Sequence, residues 1–181
     1  SHVSRVVFSP DGRLLLALTT TDGVRLHRVQ DGSLAGEDRD FGKQPAYTAA
    51  FSRDGLALVG SRDGLLRLYR TGPAGLERIV KRPAHSRGSP HAAAFSPDGR
   101  QIVFVTKRGD DADRLSNYDI YTVEAKAGGA EKQITPFAGS DLDPYWETRP
   151  AWSPDSTRIA YLRSGEDKWI YYAPHQLAIV D

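Results

Sequence analysis

The sequence predicts an all-β protein assembled from repeated four-stranded antiparallel units. Two features carry that prediction. A phrase of aromatic, Ser, Pro, Asp and Gly recurs along the chain as Val7-Phe8-Ser9-Pro10-Asp11-Gly12-Arg13, Ala50-Phe51-Ser52-Arg53-Asp54-Gly55, Ala94-Phe95-Ser96-Pro97-Asp98-Gly99-Arg100 and Ala151-Trp152-Ser153-Pro154-Asp155-Ser156. Each copy leads into a short apolar run, and the copies stand roughly 40 to 60 residues apart, a spacing that marks a repeat architecture. No stretch sustains a helical period, so almost no helix is expected.

The phrase is turn chemistry. Proline presets φ, aspartate bonds the backbone two residues on, and glycine accepts positive φ without a Cβ clash. An aromatic residue therefore ends one strand and the apolar run begins the next, which makes each unit start with a β-hairpin. Arg53 stands where the other copies have Pro, and Ser156 where they have Gly, so altered turn geometry is expected at these two copies.

In chain order, the first repeat runs from Arg5 to Phe8, through Leu14 to Leu18, breaks at Asp22-Gly23 and resumes as Val24 to Val29, before a turn at Asp31-Gly32 and a polar stretch to Asp40. The second gives Ala49 to Phe51, Leu56 to Gly60, Leu65 to Tyr69 and Leu76 to Val80, with turns at Asp63-Gly64 and Gly72-Pro73-Ala74-Gly75. The third keeps this order but lengthens one connection to Gly109 through Asn117, before Tyr118 to Val123 and Lys132 to Thr135. The fourth gives Ala151-Trp152 and Ile159 to Leu162, after a long connection from Pro136 to Arg149. Its ending has two readings. Either Trp169 to Tyr172 is the third strand and Leu177 to Val180 the fourth, or Gln176 to Asp181 is the third and the unit stops there.

Four-stranded antiparallel units repeated at this period are the signature of β-propeller blades, each of which buries its faces on its neighbours. The whole chain, 1–181, reads as one such domain or a portion of one, with blades at about 3–44, 45–88, 89–138 and 139–181. The aromatic-Ser-Pro-Asp-Gly phrase at Phe95 to Gly99 and in Pro150 to Asp155, with Asp119-Ile120-Tyr121-Thr122-Val123, Gly128-Gly129 and Gln133-Ile134-Thr135, resembles the WD40-like PD40 repeats of the TolB propeller family. The first two repeats are nearer to generic WD40 repeats, although the Trp-Asp and Gly-His pairs of WD40 are missing. The resemblance implies a toroid that binds proteins or peptides at its channel mouth, often outside the cytoplasm. It also implies an alternative: related propellers gate prolyl-oligopeptidase-type peptidases or amidohydrolases whose catalytic residues lie in another domain. Members of the family usually have six or more blades, so the four visible here are expected to belong to a larger propeller. An open arc would expose blade faces and strand edges, with edge-mediated self-association as one consequence.

Composition narrows the partners. Lys and Arg total 24 against 23 Asp and Glu, a net charge of +1. The charges are interleaved rather than gathered in a stripe, which argues against nucleic acid. No run is apolar enough to span a bilayer, so a soluble chain is expected. There is no cysteine, which removes disulfides, thiolate metal sites and a cysteine nucleophile. Ser1-His2 resembles the remainder of a cleaved tag and no methionine occurs, so the chain is expected to be a piece of a longer one.

The candidate site is a binding site. No Gly-x-Ser-x-Gly elbow, His-Glu-x-x-His motif or phosphate-cradling glycine loop is present, so no catalytic residue and no cofactor is expected within the chain. The stretch Asp141 to Arg149 joins one blade to the next at a face near the channel, and its Tyr145, Trp146, Glu147 and Arg149 include residue types that dominate binding hot spots. The alternative for Trp146 is a lid over its own blade. Arg5, Thr48, Ala92 and Arg149 each stand three residues before the inner-strand aromatic and are expected to ring one opening, where two arginines would favour a carboxylate or a C-terminal peptide. His85 and His91 lie in a loop that reaches toward the same mouth, whereas His27 reads as a surface residue. Asp110, Asp111 and Asp113 alternate like ligands of a hard cation but lack the glycine and closing glutamate of an EF-hand, so a solvated loop competes with calcium. Asp141 and Asp143 form the second candidate pair. Phe8, Phe51, Phe95 and Trp152 are expected to be blade-to-blade core.

Overall fold

The computed structural model describes residues 2–84, 92–107, 117–135, 139–141, 149–166 and 174–181. Among them there are only strands and turns. Blade 1 is β1 (Val3–Phe8), β2 (Leu14–Thr19), β3 (Val24–Arg28) and β4 (Leu34–Asp38). Blade 2 is β5 (Ala46–Phe51), β6 (Leu56–Ser61), β7 (Leu65–Gly72) and β8 (Gly75–Pro83). Blade 3 is β9 (Ala92–Phe95), β10 (Gln101–Thr106), β11 (Asp119–Glu124) and β12 (Glu131–Gln133). Blade 4 contains β13 (Ala151–Trp152), β14 (Ile159–Arg163) and β15 (Gln176–Val180). Each is a separate antiparallel sheet whose strands pair in chain order.

The recurring turn forms as its chemistry dictates. Ser9 Oγ donates to Asp11 Oδ1 at 2.6 Å, Arg13 N–H donates to the same oxygen at 3.0 Å, and Leu14 N–H donates back to Ser9 Oγ at 2.9 Å. Ser96 and Asp98 repeat these bonds, as do Ser153 and Asp155. Gly12 and Gly99 occupy the positive-φ position at 70° and 75°, and Ser156 takes the same left-handed conformation at 63°. Blade 2 is shorter here. Phe51 pairs with Ala57, six positions on, whereas Phe8 pairs with Leu15, seven on, so the loss of Pro is accompanied by the loss of one turn residue.

The blades stack through three apolar layers. Leu16, Leu18, Val24 and Leu26 of blade 1 meet Ala49, Ala57, Val59 and Tyr69 of blade 2. The opposite face of blade 2, with Leu58, Leu66 and Leu68, meets Ala93, Ile102, Phe104 and Tyr121 of blade 3. The far face of blade 3, with Val103, Val105 and Ile120, meets Ile159, Trp152 and Tyr161 of blade 4. Alternation along each strand supplies a different face to each neighbour, which is why these strands are apolar on both sides. The first strands β1, β5 and β9 lie side by side.

Two sequence expectations change, and one left open is decided. Phe51, Phe95 and Trp152 each pack against the layer shared with the preceding blade, but Phe8 is 58% exposed. It stands on the face of blade 1 turned away from blade 2, so the expectation of a buried core residue fails there. Val6 on the same face is also exposed, and at the other end of the stack so are Leu177 (73%) and Ile179 (62%) of blade 4. A strand also lies within the polar stretch after Asp31: β4 is an outer strand with solvent beside it, so its pattern carries little apolar signal. In the fourth repeat it is Gln176–Val180 that pairs with β14 as the third strand, the second of the two readings. Residues 169–172 lie outside the described residues.

Candidate functional site

Arg5 lies in β1 opposite Leu18, Thr48 in β5 opposite Gly60, and Ala92 in β9 opposite Val105. These are equivalent register positions, each three residues before its aromatic, so the alignment made from the repeats corresponds to a structural alignment. The positions differ chemically. Thr48 and Ala92 are buried, whereas Arg5 is half-buried and Arg149 exposed. Two guanidinium groups are therefore the charged members of the set.

Arg5 feels the charge of Arg149. Burial first, and then the positive charge of Arg149, pull the Arg5 guanidinium below its ordinary pKa. Blades 1 and 4 are separated by two other blades, yet their arginines come within electrostatic range of each other. Arg5 Nη1 also donates to the Tyr47 carbonyl at 3.3 Å, across the boundary between blades 1 and 2. Tyr47 is an exposed aromatic beside this arginine. Sequence reasoning missed it because Tyr47 is the extra residue at a break in register between Ala46 and Thr48, which simple alternation does not anticipate.

Among the other expected site residues, Tyr145, Trp146, Glu147 and His91 lie outside the described residues, as do Asp110, Asp111, Asp113 and Asp143. His85 is also outside them. His27 sits on the exposed face of blade 1 with Nδ1 3.1 Å from the Gly32 carbonyl oxygen, as a surface residue would. No group of three or more His, Cys, Asp and Glu side chains able to hold a metal occurs among the described residues.

An open groove of about 950 Å³ runs along the recurring turns of blades 1 and 2, lined by Asp11, Arg13, Arg28, Arg53, Asp54 and Pro73 among others. Its charges alternate in sign. Arg13 faces Asp11 at 3.9 Å, and Arg28 donates to the Pro73 carbonyl at 3.1 Å, so part of the positive charge is engaged in joining the two blades. The groove therefore has less unbalanced charge to offer an ion than the pair of arginines.

Two solved structures have the same architecture. The β-propeller domain of Myceliophteria thermophila Cps50 (Swd1) superposes with a TM-score of 0.67 at 16% identity, covering 97% of this chain and 49% of that one. The tricorn protease superposes with a TM-score of 0.67 at 15% identity, covering 90% of this chain and 15% of that one. The chain thus spans about half the length of the first and a smaller part of the second. At such identities the likeness establishes the fold, which is that of β-propeller blades, and function has to be argued from the site. No protein-family model and no curated protein matches the chain. Among the described residues no helix is long and apolar enough to cross a membrane.

Proposed function

We infer that the chain is a four-blade portion of a larger propeller of the TolB-like, PD40-containing kind, and that it acts as a non-catalytic module binding a protein or peptide at its channel mouth. The observation that carries this reading is the half-buried Arg5 at its register position, held by the Tyr47 carbonyl at 3.3 Å beside the exposed Tyr47 side chain, with the positive charge of Arg149 acting on it. Two cations held near one another at an opening, with an exposed tyrosine beside them, form a receptor for an anion. A C-terminal carboxylate suits such a pair because guanidinium donors match its geometry. Tyr145, Trp146 and Glu147 remain sequence expectations for this site, outside the described residues.

The exposed apolar residues on the outer faces of blades 1 and 4 support the larger ring. Wherever a blade precedes another, the aromatic before the turn packs on it, and the uncovered Phe8 is the same position waiting for the same contact. Further blades fit both end faces. Edge pairing with a second copy is the competing occupant.

A short fluorescein-labelled peptide with a free C-terminus, compared with its amidated twin, tests the site by fluorescence polarisation. The free acid is expected to bind more tightly, with salt weakening it, and Arg5→Ala or Arg149→Ala is expected to cost roughly tenfold in affinity, the scale of one charge-assisted hydrogen bond. Equal binding of the two peptides, or unchanged affinity in the double variant, overturns the reading.

The second reading is a gating propeller of a larger hydrolase, and the likeness to part of the tricorn protease favours it. A full-length reading frame that carries an α/β-hydrolase segment would move the conclusion there.

A further inference from the structure

Six Asp-Gly pairs punctuate the chain: Asp11-Gly12, Asp22-Gly23, Asp31-Gly32, Asp54-Gly55, Asp63-Gly64 and Asp98-Gly99. Such a pair can rearrange without an enzyme, because glycine has no side chain to keep its nitrogen away from the aspartate carboxyl. The fold restrains that route at five of them. Asp11 Oδ1 accepts from Ser9 Oγ and Arg13 N–H, and Gly12 N–H is tied to the Ser9 carbonyl at 2.9 Å. Asp98-Gly99 repeats these bonds, with Gly99 N–H donating to the Ser96 carbonyl at 2.8 Å. Asp31 accepts from Ser33 N–H, and Asp63 from Ser61, Leu65 and Arg67, while Gly32 and Gly64 donate at 2.9 and 3.0 Å. Asp22 accepts from Thr21 Oγ1 at 3.2 Å, and Gly23 is buried against the Asp38 carbonyl.

Asp54-Gly55 is the exception. Its turn lacks one residue after the glycine, and that residue, Arg13 or Arg100 in two of the other copies, is the one whose amide holds the aspartate. The next amide, Leu56 N–H, is taken by Ser52 Oγ at 2.9 Å. Among the described residues, the exposed Asp54 carboxylate has neither a hydrogen bond nor an ion pair. Gly55 N–H reaches the Ser52 carbonyl at 3.4 Å, the longest of these turn bonds. Both residues line the open groove along the turns, where water reaches them. Asp54 Oδ1 rests over Gly99 of blade 3, so close that a Cβ there would come within 3.0 Å of it.

We propose that Asp54-Gly55 is a site of spontaneous backbone isomerisation, at which aspartate becomes isoaspartate. The Gly55 nitrogen attacks Asp54 Cγ and a new C–N bond closes a succinimide ring. The amide proton and the protonated carboxyl oxygen leave together as one water molecule. Water then reopens the ring. Attack at Cγ restores aspartate, whereas attack at the α-carbonyl breaks the original peptide bond and leaves the chain running through Cβ and Cγ, with a new α-carboxylate. Nothing is oxidised or reduced, and water is the only co-reactant. An unheld carboxyl favours the first step, because donors that bind a carboxylate keep it ionised and a poor source of leaving oxygen. Hydrogen bonds, from Ser9, Ser33 and Ser96 first, hold Asp11, Asp31 and Asp98 below the usual carboxylate range in this way. The product lengthens the main chain in the shortest of the recurring turns, beside blade 3.

The test is storage of the folded protein at neutral pH and physiological temperature for several weeks in heavy-oxygen water, followed by peptide mapping with mass detection. Passage through the succinimide leaves a heavy oxygen, and isoaspartate is told from aspartate by its retention and its resistance to an aspartate-specific protease. Isoaspartate is expected to accumulate at Asp54 about tenfold faster than at Asp11, Asp31 or Asp98, the scale set by one charge-assisted hydrogen bond. In denaturing urea, where no fold restrains the other pairs, the rates are expected to converge. Asp54→Asn, which closes the same ring with loss of ammonia, is expected to react faster still. Equal rates at these pairs in the folded protein overturn the proposal, as does the same lead for Asp54 in urea, or an asparagine that persists at that position.

Discussion

The guanidinium carbon of Arg67 lies 3.9 Å from the centroid of the Phe41 ring. Arg67 is in β7 of blade 2 and fully buried, and Phe41 belongs to the connection from blade 1, also fully buried. The same guanidinium donates to Ser61 Oγ at 2.6 Å, to the carbonyl of Asp40 at 2.7 Å and to the Asp63 carboxylate. A buried cation thus pins the crossover between the blades to the β6–β7 turn. Burial alone would push the Asp63 carboxyl up, but hydrogen bonds from Arg67, Ser61 and the Leu65 amide hold it below its usual range. Nearby, the Tyr69 hydroxyl donates to Asp38 Oδ2 at 3.0 Å, and Arg78 bridges Asp38 and Asp40 at 2.9 Å each.

Arg67→Met should therefore lower stability by about 3 kcal/mol, since it removes the partner of a partly buried carboxylate and leaves the Asp40 carbonyl without its donor. Phe41→Leu should cost less, about 1 kcal/mol for the lost cation–π contact beyond its change in packing. Urea denaturation of both single variants and the double variant checks this. Strict additivity would show that the two side chains are not coupled.

Phe8 and Phe51 occupy equivalent places in their repeats but opposite environments. Phe51→Ala should destabilise by about 2–4 kcal/mol, because it leaves a void in the layer between blades 1 and 2. Phe8→Ala in this chain should stay within about 1 kcal/mol, since the ring is largely solvated. If Phe8→Ala measured in the 181-residue chain cost as much as Phe51→Ala, the face of blade 1 would be covered in solution, and self-association would be the first thing to look for.

The recurring turn makes acid stability testable. Hydrogen bonds from the Ser153 hydroxyl, the Thr157 hydroxyl and the Thr157 N–H lower the Asp155 carboxyl to about 2. A group whose folded pKa is depressed stabilises the fold above its unfolded value, near 3.9, and loses that contribution as pH falls through the folded value. Asp155→Asn should therefore be less stable than the wild type at neutral pH, and the two unfolding curves should converge between about pH 4 and pH 2. Curves that stay parallel throughout that window would show that the ionised form of Asp155 contributes nothing.

How much of this was legible in the sequence depended on how far apart in the chain the interacting groups are. The Ser-x-Asp turns could be read directly, because every bond in them joins residues within five positions of one another. The register equivalence of Arg5, Thr48 and Ala92 could also be read, because it follows from counting back from the aromatic along a strand of period two. β4 could not, since an outer strand with solvent beside it lacks the apolar alternation that marks the others. The shorter turn of blade 2 was signalled only by its missing proline.

The sequence by itself determined the strands other than β4, the hairpins and the order in which four similar units follow one another, because those depend on turn residues and on alternation within a few positions. Only the tertiary structure decided which equivalent residues share an environment. Phe8 and Phe51 stand at equivalent places in similar repeats, and a neighbouring blade covers one and not the other. The charge of Arg149 reaches Arg5, and that of Asp119 reaches Asp141, because the fold brings distant stretches together. Burial and electrostatic coupling are properties of what surrounds a side chain, and in a repeat protein that surrounding is supplied by the next unit.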